Sequence, residues 1–414
     1  MHRLAALACA MCPRIAMGLD NGLGRTPPMG YSTWNDMGCN GLRGDLVKSV
    51  ADALVDRGFT KLGYSYVNID DCWAAGRNPE NDALQANPDT FPEGMQALAT
   101  YLHDKQLKFG LYADRGVWTC GAGPGSAGHE TLDARTFAGW GVDYLKLDSC
   151  NAPHEPREAM NQFVAMRDAL NITGRPIYFA LCGWSPWYAE VGEALGNSWR
   201  VARDLNGVRE LWNTLAINSE LAAFAGPGAW NDPDGLVGST QGTRVYLEPQ
   251  QSRTQFTLWA IMAAPLMIGT NPVKLSPFDR ETYTNEEVIA VDQDALGRQG
   301  RIIWENCPKR SLEQLVHEAA SNEYPAPPAC QQVWAKPLMG GDWAVALVNW
   351  DFGTKKVELR PGEIHELGFG AGVSVRDLWA KEDLGIHTGG FHAQIDGGGG
   401  SKLFRFRPPN NFAV

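Results

Sequence analysis

From residue 24 to residue 269, short apolar runs alternate with segments whose apolar positions recur every three or four residues. Eight runs read as strands: 29–34, 66–71, 109–114, 142–148, 177–184, 199–204, 229–234 and 265–269. Helical patterns separate them at 45–57, 92–105, 132–139, 157–170, 207–225 and 250–263, with a shorter piece around 187–195. Leu46, Val47, Val50 and Leu54 share one face, as in a helix laid against a sheet. Eight such repeats predict an α/β fold of the parallel (β/α)8 TIM barrel type rather than an open doubly wound sheet. No glycine-rich dinucleotide fingerprint follows the first strand. The run Gly121-Ala122-Gly123-Pro124-Gly125 lacks the lysine and hydroxyl residue of a phosphate loop and reads as a flexible strand-to-helix connection.

Near Arg298 the pattern changes. Runs at 333–335, 343–349, 354–359, 374–378 and 403–406, separated by Gly and Pro turns, predict a C-terminal antiparallel β-sandwich domain. The implied organisation is a leader at 1–22, a catalytic barrel over 23–298 and a β domain over 299–414. A polar, proline-containing stretch at 305–329 has Cys307 at its start and Cys330 just past its end, so a disulfide could close it. Residues 397–400 are all glycine and read as a turn.

Polar residues gather at the strand ends. The run 142–148 closes on Lys146 and Asp148. Asp70 and Asp71 end the second strand, and Tyr112 and Asp114 the third. Cys182 and Trp184 end the fifth, Arg200 and Asp204 lie on the sixth, and Asp232 and Asp234 end the seventh. A lone strand-end Asp is more often a helix cap than a catalyst. Recurrence on strand after strand, at the face where barrels build active sites, reverses that weighting. Such a ring can hold a divalent metal through oxygen ligands, or bind sugar hydroxyls while two carboxylates do nucleophilic and acid–base work. Lys146 and Arg200 would compete with a metal, so no metal and no cofactor are expected. Protease, esterase and zinc-hydrolase motifs are absent.

The formal net charge of −11 argues against nucleic acid or an anionic membrane as partner, and no apolar run is long enough to span a bilayer. Fifteen tryptophans favour a carbohydrate partner, since indole faces stack on sugar rings. Nine cysteines suggest an oxidising compartment, and the basic-then-apolar start reads as a short secretion signal. The expected location is therefore outside the cell or in a vacuole or lysosome, where the sequon Asn171-Ile172-Thr173 permits glycosylation. Monomer and homodimer both remain open.

Several motifs occur together in order: Thr26-Pro27-Pro28-Met29-Gly30, Trp34-Asn35, Asn68-Ile69-Asp70-Asp71-Cys72-Trp73, Gly110-Leu111-Tyr112-Ala113-Asp114, Lys146-Leu147-Asp148 and Trp230-Asn231-Asp232-Pro233-Asp234. This set resembles glycoside hydrolase family 27, the α-galactosidases and α-N-acetylgalactosaminidases, from residue 23 to about 302 and more weakly through 343–350. The resemblance implies a retaining hydrolase that releases terminal α-galactose from galacto-oligosaccharides, galactomannans or galactolipids. Asp148 matches the nucleophile and Asp204 the acid/base. It places Trp34, Asp70, Asp71, Tyr112, Lys146, Cys182, Trp184, Arg200 and Asp234 around the sugar. It also implies disulfides Cys39–Cys72 and Cys120–Cys150. Asp148 is expected to raise the pKa of Asp204, with Arg200 opposing, and Lys146 to keep Asp148 ionised.

By the same resemblance, Cys182 and Trp184 would fill the space beside the 2-hydroxyl, where members accepting N-acetylgalactosamine have smaller residues, which speaks against α-N-acetylgalactosaminidase. Asp71, matched to the 6-hydroxyl, speaks against a β-L-arabinopyranosidase. A catalytically silent sugar-binding barrel would have lost Asp148 or Asp204. The chain departs from the family pattern at Gly235, at Tyr31 and in the insertion at 305–329.

Overall fold

The computed structural model describes residues 21–370 and 372–409. Residues 1–20, which make up most of the expected leader and include Cys9 and Cys12, lie outside them. The eight anticipated barrel strands are present: β1 (Met29–Ser32), β2 (Tyr66–Ile69), β3 (Lys108–Asp114), β4 (Tyr144–Asp148), β5 (Tyr178–Leu181), β6 (Ser198–Arg200), β7 (Trp230–Asp232) and β8 (Leu266–Ile268). All pair in parallel in the order β8-β1-β2-β3-β4-β5-β6-β7. Beyond β7 the chain meets β8 through the Leu236–Ile268 bridge, where the Leu236 amide donates to the Met267 carbonyl at 2.7 Å. That contact closes the ring.

Strand periodicity decides which residues enter the barrel. In β4, Tyr144, Lys146 and Asp148 point inward while Leu145 and Leu147 pack outward with the helix residues of the main core. Tyr144 and Tyr178 stack 4.9 Å apart, forming an aromatic layer with Tyr66 deep in the barrel. The strands are shorter than the apolar runs implied. β5 stops at Leu181 and β6 at Arg200, so Cys182, Trp184 and Asp204 stand on the loops beyond them.

A hairpin that hydropathy did not indicate, Ala74–Arg77 paired with Leu84–Ala86, leaves the end of β2. Arg77 anchors it to helix Glu130–Trp140 with two bonds of 2.8 Å to the buried Asp133 carboxylate. Such bidentate, charge-assisted pairs are among the stronger polar contacts in proteins.

The second sheet runs β9 (Arg301–Glu305), β10 (Gln331–Pro337), β11 (Trp343–Asn349), β16 (Gly400–Arg407), β13 (Val373–Asp377) and β14 (Glu382–His387), antiparallel throughout. Strands β12 (Lys355–Leu359) and β15 (Phe391–Ile395) form a separate pair that covers one face. Residues 382–387 and 391–395 escaped the hydropathy reading, because the first strand is largely exposed and the second carries polar residues within it. Alternation again sorts the faces. In β11, Val345 and Leu347 pack toward the β12–β15 pair, while Ala344, Ala346 and Val348 join the barrel core.

The element between the two domains is helix Pro249–Met262, buried on almost every side. Sandwiched between barrel and sheet, it needs no polar face. Its buried hydroxyls are satisfied across the junction: Thr254 donates to the Gly399 carbonyl at 2.7 Å, and Trp379 Nε1 donates to Thr257 at 3.0 Å. Lys336 of β10 is fully buried at this junction. Its ammonium donates to the carbonyls of Val291, Ala260 and Asp292 at 2.5, 3.0 and 3.3 Å. The stretch at 305–329 folds into helix Leu312–Ser321, and the Cys307–Cys330 disulfide closes it.

Replacing Lys336 by Met leaves three buried carbonyls without their cation and removes the charge that faces Asp292. The expected loss, read by urea unfolding, is about 3–5 kcal/mol. A stability within 1 kcal/mol of the parent, by the same measurement, would show the ammonium to be dispensable.

Candidate active site

The carboxyl ends of the strands enclose a pocket that opens to solvent. Trp34, Asp70, Lys146, Cys182, Arg200, Asp204 and Asp234 line it, and Tyr144 and Met267 are among its apolar lining. Seven of the eleven anticipated residues therefore line one pocket. Asp71 and Tyr112 line a smaller adjoining cavity, and Trp184 donates from Nε1 to the Cys182 sulfur at 3.2 Å. Asp148 sits deeper, 5% exposed, with Oδ1 accepting from its neighbour's amide, Ser149, at 2.9 Å.

The pairing of charges differs from the simplest reading of Lys-x-Asp. The Lys146 ammonium donates to Asp70 Oδ2 at 2.9 Å rather than to Asp148. Burial pushes the Asp148 carboxyl up, Lys146 and the Cys182 thiol oppose this, and the net shift is upward. Lys146 thus moderates the cost of ionising Asp148 without cancelling it. Burial also pushes the Cys182 thiol up, so it stands protonated beside the carboxylate.

Arg200, on β6, is the second buried cation. Its Nη2 donates to Asp204 at 3.0 Å and its Nη1 lies 3.1 Å from Asp234. Asp234 is pinned further by the amides of Gly235 at 2.7 Å and Leu205 at 2.8 Å. Burial raises Asp234 to about 6 despite Arg200, with the charge of Asp204 adding to the rise. At Asp204 the balance tips the other way. Burial pushes its carboxyl up, but Arg200 and Lys146 outweigh that and bring it below the usual range. This corrects the expectation that the Asp148 charge would raise it: the contact with Arg200 prevails. The Asp204 side chain is 54% exposed and reaches the mouth.

Two disulfides frame the pocket as the family resemblance implied, Cys39–Cys72 and Cys120–Cys150. The Cys120 sulfur, which has no proton to give, lies 3.5 Å from Asp148 Oδ2. Asp71 spends both oxygens on this framework, accepting from the amides of Cys72 and Gly121 at 2.6 Å each. Asp114, named at its strand end but given no role, braces the second disulfide by accepting from the Cys150 amide at 2.8 Å and from Gly116 at 2.6 Å. Burial lifts it to about 7, with Asp148 adding to the rise. The cluster of Asp114, Cys120, Asp148 and Cys150 has the compactness of a metal site. Its two sulfurs are bonded to each other and cannot serve as thiolate ligands.

Left-handed backbone recurs here at residues other than glycine: Cys72 (φ 74°), Trp184 (φ 58°) and Asp234 (φ 96°). Such conformations cost about 1–3 kcal/mol each and persist where surrounding contacts over-determine them. Gly183 explains part of this at Trp184, since a Cβ there would lie 1.9 Å from the Tyr188 ring. Only glycine lets the chain turn at that point. Sequence reasoning also missed Tyr324, carried by the insertion. Its carbonyl accepts from Arg209 at 3.3 Å, and the charges of Asp204 and Arg203 act on its phenol. No strand-end pattern could have announced it.

A family model described as alpha galactosidase A matches residues 26–294, and one described as alpha galactosidase C-terminal beta sandwich domain matches 329–406. Alpha-galactosidase 3 of Arabidopsis thaliana is 42% identical over 388 residues, covering 91% of this chain and 81% of the relative. A probable alpha-galactosidase of Dictyostelium discoideum is 36% identical and covers 94% of each. Among solved structures, alpha-galactosidase I from Mortierella vinacea superposes with a TM-score of 0.82 at 30% identity, covering 94% of this chain and 98% of that one.

The raised carboxyls have a consequence for stability. Asp234 (about 6), Asp114 (about 7) and Asp292 (about 8) all bind a proton more tightly when folded than at the ordinary value of 3.8. Their stabilising contribution is full below about pH 4 and is lost as pH rises through these values. The depressed carboxyls, Asp204 among them, have already made their opposite contribution by pH 5. The urea midpoint should therefore fall between pH 5 and pH 8, and fall less in Asp292→Asn. A midpoint that climbs over this interval would contradict the assignment.

Proposed function

The chain belongs to the α-galactosidase family, glycoside hydrolase family 27, and hydrolyses α-galactosides; from that premise we propose a retaining double displacement in which Asp148 is the nucleophile and Asp204 the acid/base. The observation that supports this division is the difference in depth. Asp148 is buried at the end of β4, where an anomeric carbon bound in the pocket can reach it. Asp204 stands half exposed at the mouth, where a leaving group exits and water enters.

In the first step an Asp148 oxygen attacks the anomeric carbon, while Asp204 gives its proton to the glycosidic oxygen. In the second step Asp204, now a carboxylate, takes a proton from water. That water attacks the same carbon and frees Asp148, and two inversions return the original configuration. The surroundings oppose this division in the free enzyme, because burial pushes Asp148 up while Arg200 and Lys146 hold Asp204 down. Both must therefore work against their surroundings, Asp148 as a carboxylate and Asp204 as an acid, so kcat/KM should be confined to acidic pH with a limb on each side.

We assign Asp70 and Lys146 to the galactose 3- and 4-hydroxyl side, and Arg200 with Asp234 to the 2-hydroxyl. A carboxylate offers about four lone-pair sites, so Asp71, with two backbone donors, keeps capacity for the 6-hydroxyl. Trp34 supplies an apolar face, Tyr112 supports the Asp148 side, and Cys182 with Trp184 fills the space beside the 2-hydroxyl. We divide the chain into a barrel at 23–298 and a supporting β domain at 299–414. The natural substrates proposed are galacto-oligosaccharides, galactomannans or galactolipids. Disulfides among the described residues support secretion or a vacuolar location.

Asp148→Asn should abolish turnover of every α-galactoside while leaving galactose binding intact by calorimetry. Asp204→Ala should lose about 10²–10⁴ in kcat/KM on sugar leaving groups. It should lose far less on 2,4-dinitrophenyl α-galactoside, whose phenolate needs no proton. Equal losses on both substrates would remove Asp204 from the acid role, and residual wild-type rates in Asp148→Asn would remove Asp148 as nucleophile.

A further inference from the structure

Two arginines at the mouth of the pocket have no direct contact in the scheme above, although the charge of Arg203 adds to Arg200 and Lys146 in holding the Asp204 carboxyl down. Arg203 immediately precedes Asp204 and lies with Cζ 5.4 Å from the centroid of the Trp184 ring. Arg244, on the loop after β7, lies 5.0 Å from the centroid of Trp34, and its amide approaches the Asn35 carbonyl at 3.4 Å. Each guanidinium thus covers an indole expected beside the sugar. The second stack is built in by Gly38, at φ 51°, where a Cβ would fall 2.4 Å from Arg244 Nη1. Both arginines are exposed, and neither forms an ion pair with a carboxylate among the described residues. Asp204, the exposed carboxylate there, is already held from inside by Arg200.

An arginine held over an indole keeps its charge while losing mobility, and its fork suits carboxylates and other oxyanions. The group that passes this rim in the reaction is the aglycone, because Asp204 must touch the oxygen that links it to galactose. We infer that Arg203 and Arg244 receive an anionic substituent on the aglycone, so that the enzyme prefers α-galactosides whose leaving group bears a carboxylate or a related oxyanion. This rests on the proposed acid/base role of Asp204 and adds the substrate class served at that end of the site. A uronic acid residue and a sulfated or phosphorylated sugar present the same chemistry there.

The test compares matched aryl α-galactosides that differ in charge and hardly in shape: 4-carboxyphenyl against 4-carbamoylphenyl, and 4-sulfophenyl against 4-sulfamoylphenyl. The ratio of kcat/KM for the anion over its neutral partner should be about three- to fivefold in low salt, the size of a solvent-exposed charge pair. It should approach one in 0.5 M salt and in the Arg203→Gln, Arg244→Gln double variant, with the neutral substrates little changed when each enzyme is assayed at its own pH optimum, since loss of Arg203 also lets the Asp204 carboxyl rise. Preference in both pairs supports oxyanions in general, and preference in the first alone supports a carboxylate. A ratio at or below one in the parent enzyme overturns the inference while hydrolysis of the neutral substrates leaves the catalytic assignment standing. A double variant that loses the neutral and anionic substrates equally also overturns it, since the arginines would then only hold the tryptophans. Failure to hydrolyse any α-galactoside would sink the underlying reading instead, and this inference with it.

Discussion

Too few cations for the carboxylates they must serve: that shortage governs the barrel mouth. Asp70, Asp148, Asp204, Asp232 and Asp234 converge on Lys146 and Arg200, and much of this charge is out of water. Burial raises Asp148, Asp232 and Asp234, whereas Arg200 and Lys146 bring Asp204 down. Side chains of one type are therefore driven in opposite directions, by depth and by the reach of two cations. Backbone amides supply much of the remaining compensation, at Asp71, Asp114 and Asp234. Those bonds explain why left-handed backbone is tolerated at Cys72 and Asp234. The carboxylates and the loops hold each other in place.

Much of this was legible in the chain because strand geometry converts sequence into placement. A residue step of two keeps a side chain on the same face, so Tyr144, Lys146 and Asp148 had to enter the barrel together if they formed a strand. The same rule sorted β11 between two cores. The motifs carried the rest of the site, including both disulfides, which no hydropathy pattern encodes.

What stayed hidden depends on contacts distant in sequence or on balances between opposed effects. The direction in which Asp204 titrates follows from its bond to Arg200 against its own burial, and residue order does not reveal which is larger. The hairpin after β2 is too short for a period to emerge, and Arg77 holds it through a partner 56 positions away. Tyr324 comes near the site only because helix Leu312–Ser321 docks on the barrel, where Asn213 donates to Glu318 at 2.9 Å. Arg203 and Arg244 read as ordinary surface charges until the rings beneath them are seen.

Barrel closure has an implication for the order of events during synthesis. Strand β1, at Met29–Ser32, pairs with β8 at Leu266–Ile268, so the first strand waits for nearly the whole barrel to leave the ribosome before its second edge is covered. Helix Pro249–Met262 then waits longer, because the sheet that buries its far side is completed by Gly400–Arg407. A nascent chain must hold an open strand edge and an uncovered apolar helix while the rest is made, both of which invite association with other chains. Disulfides spanning only 33, 30 and 23 residues can all form within stretches already emerged, which gives the growing chain local ties long before its distant ends can meet.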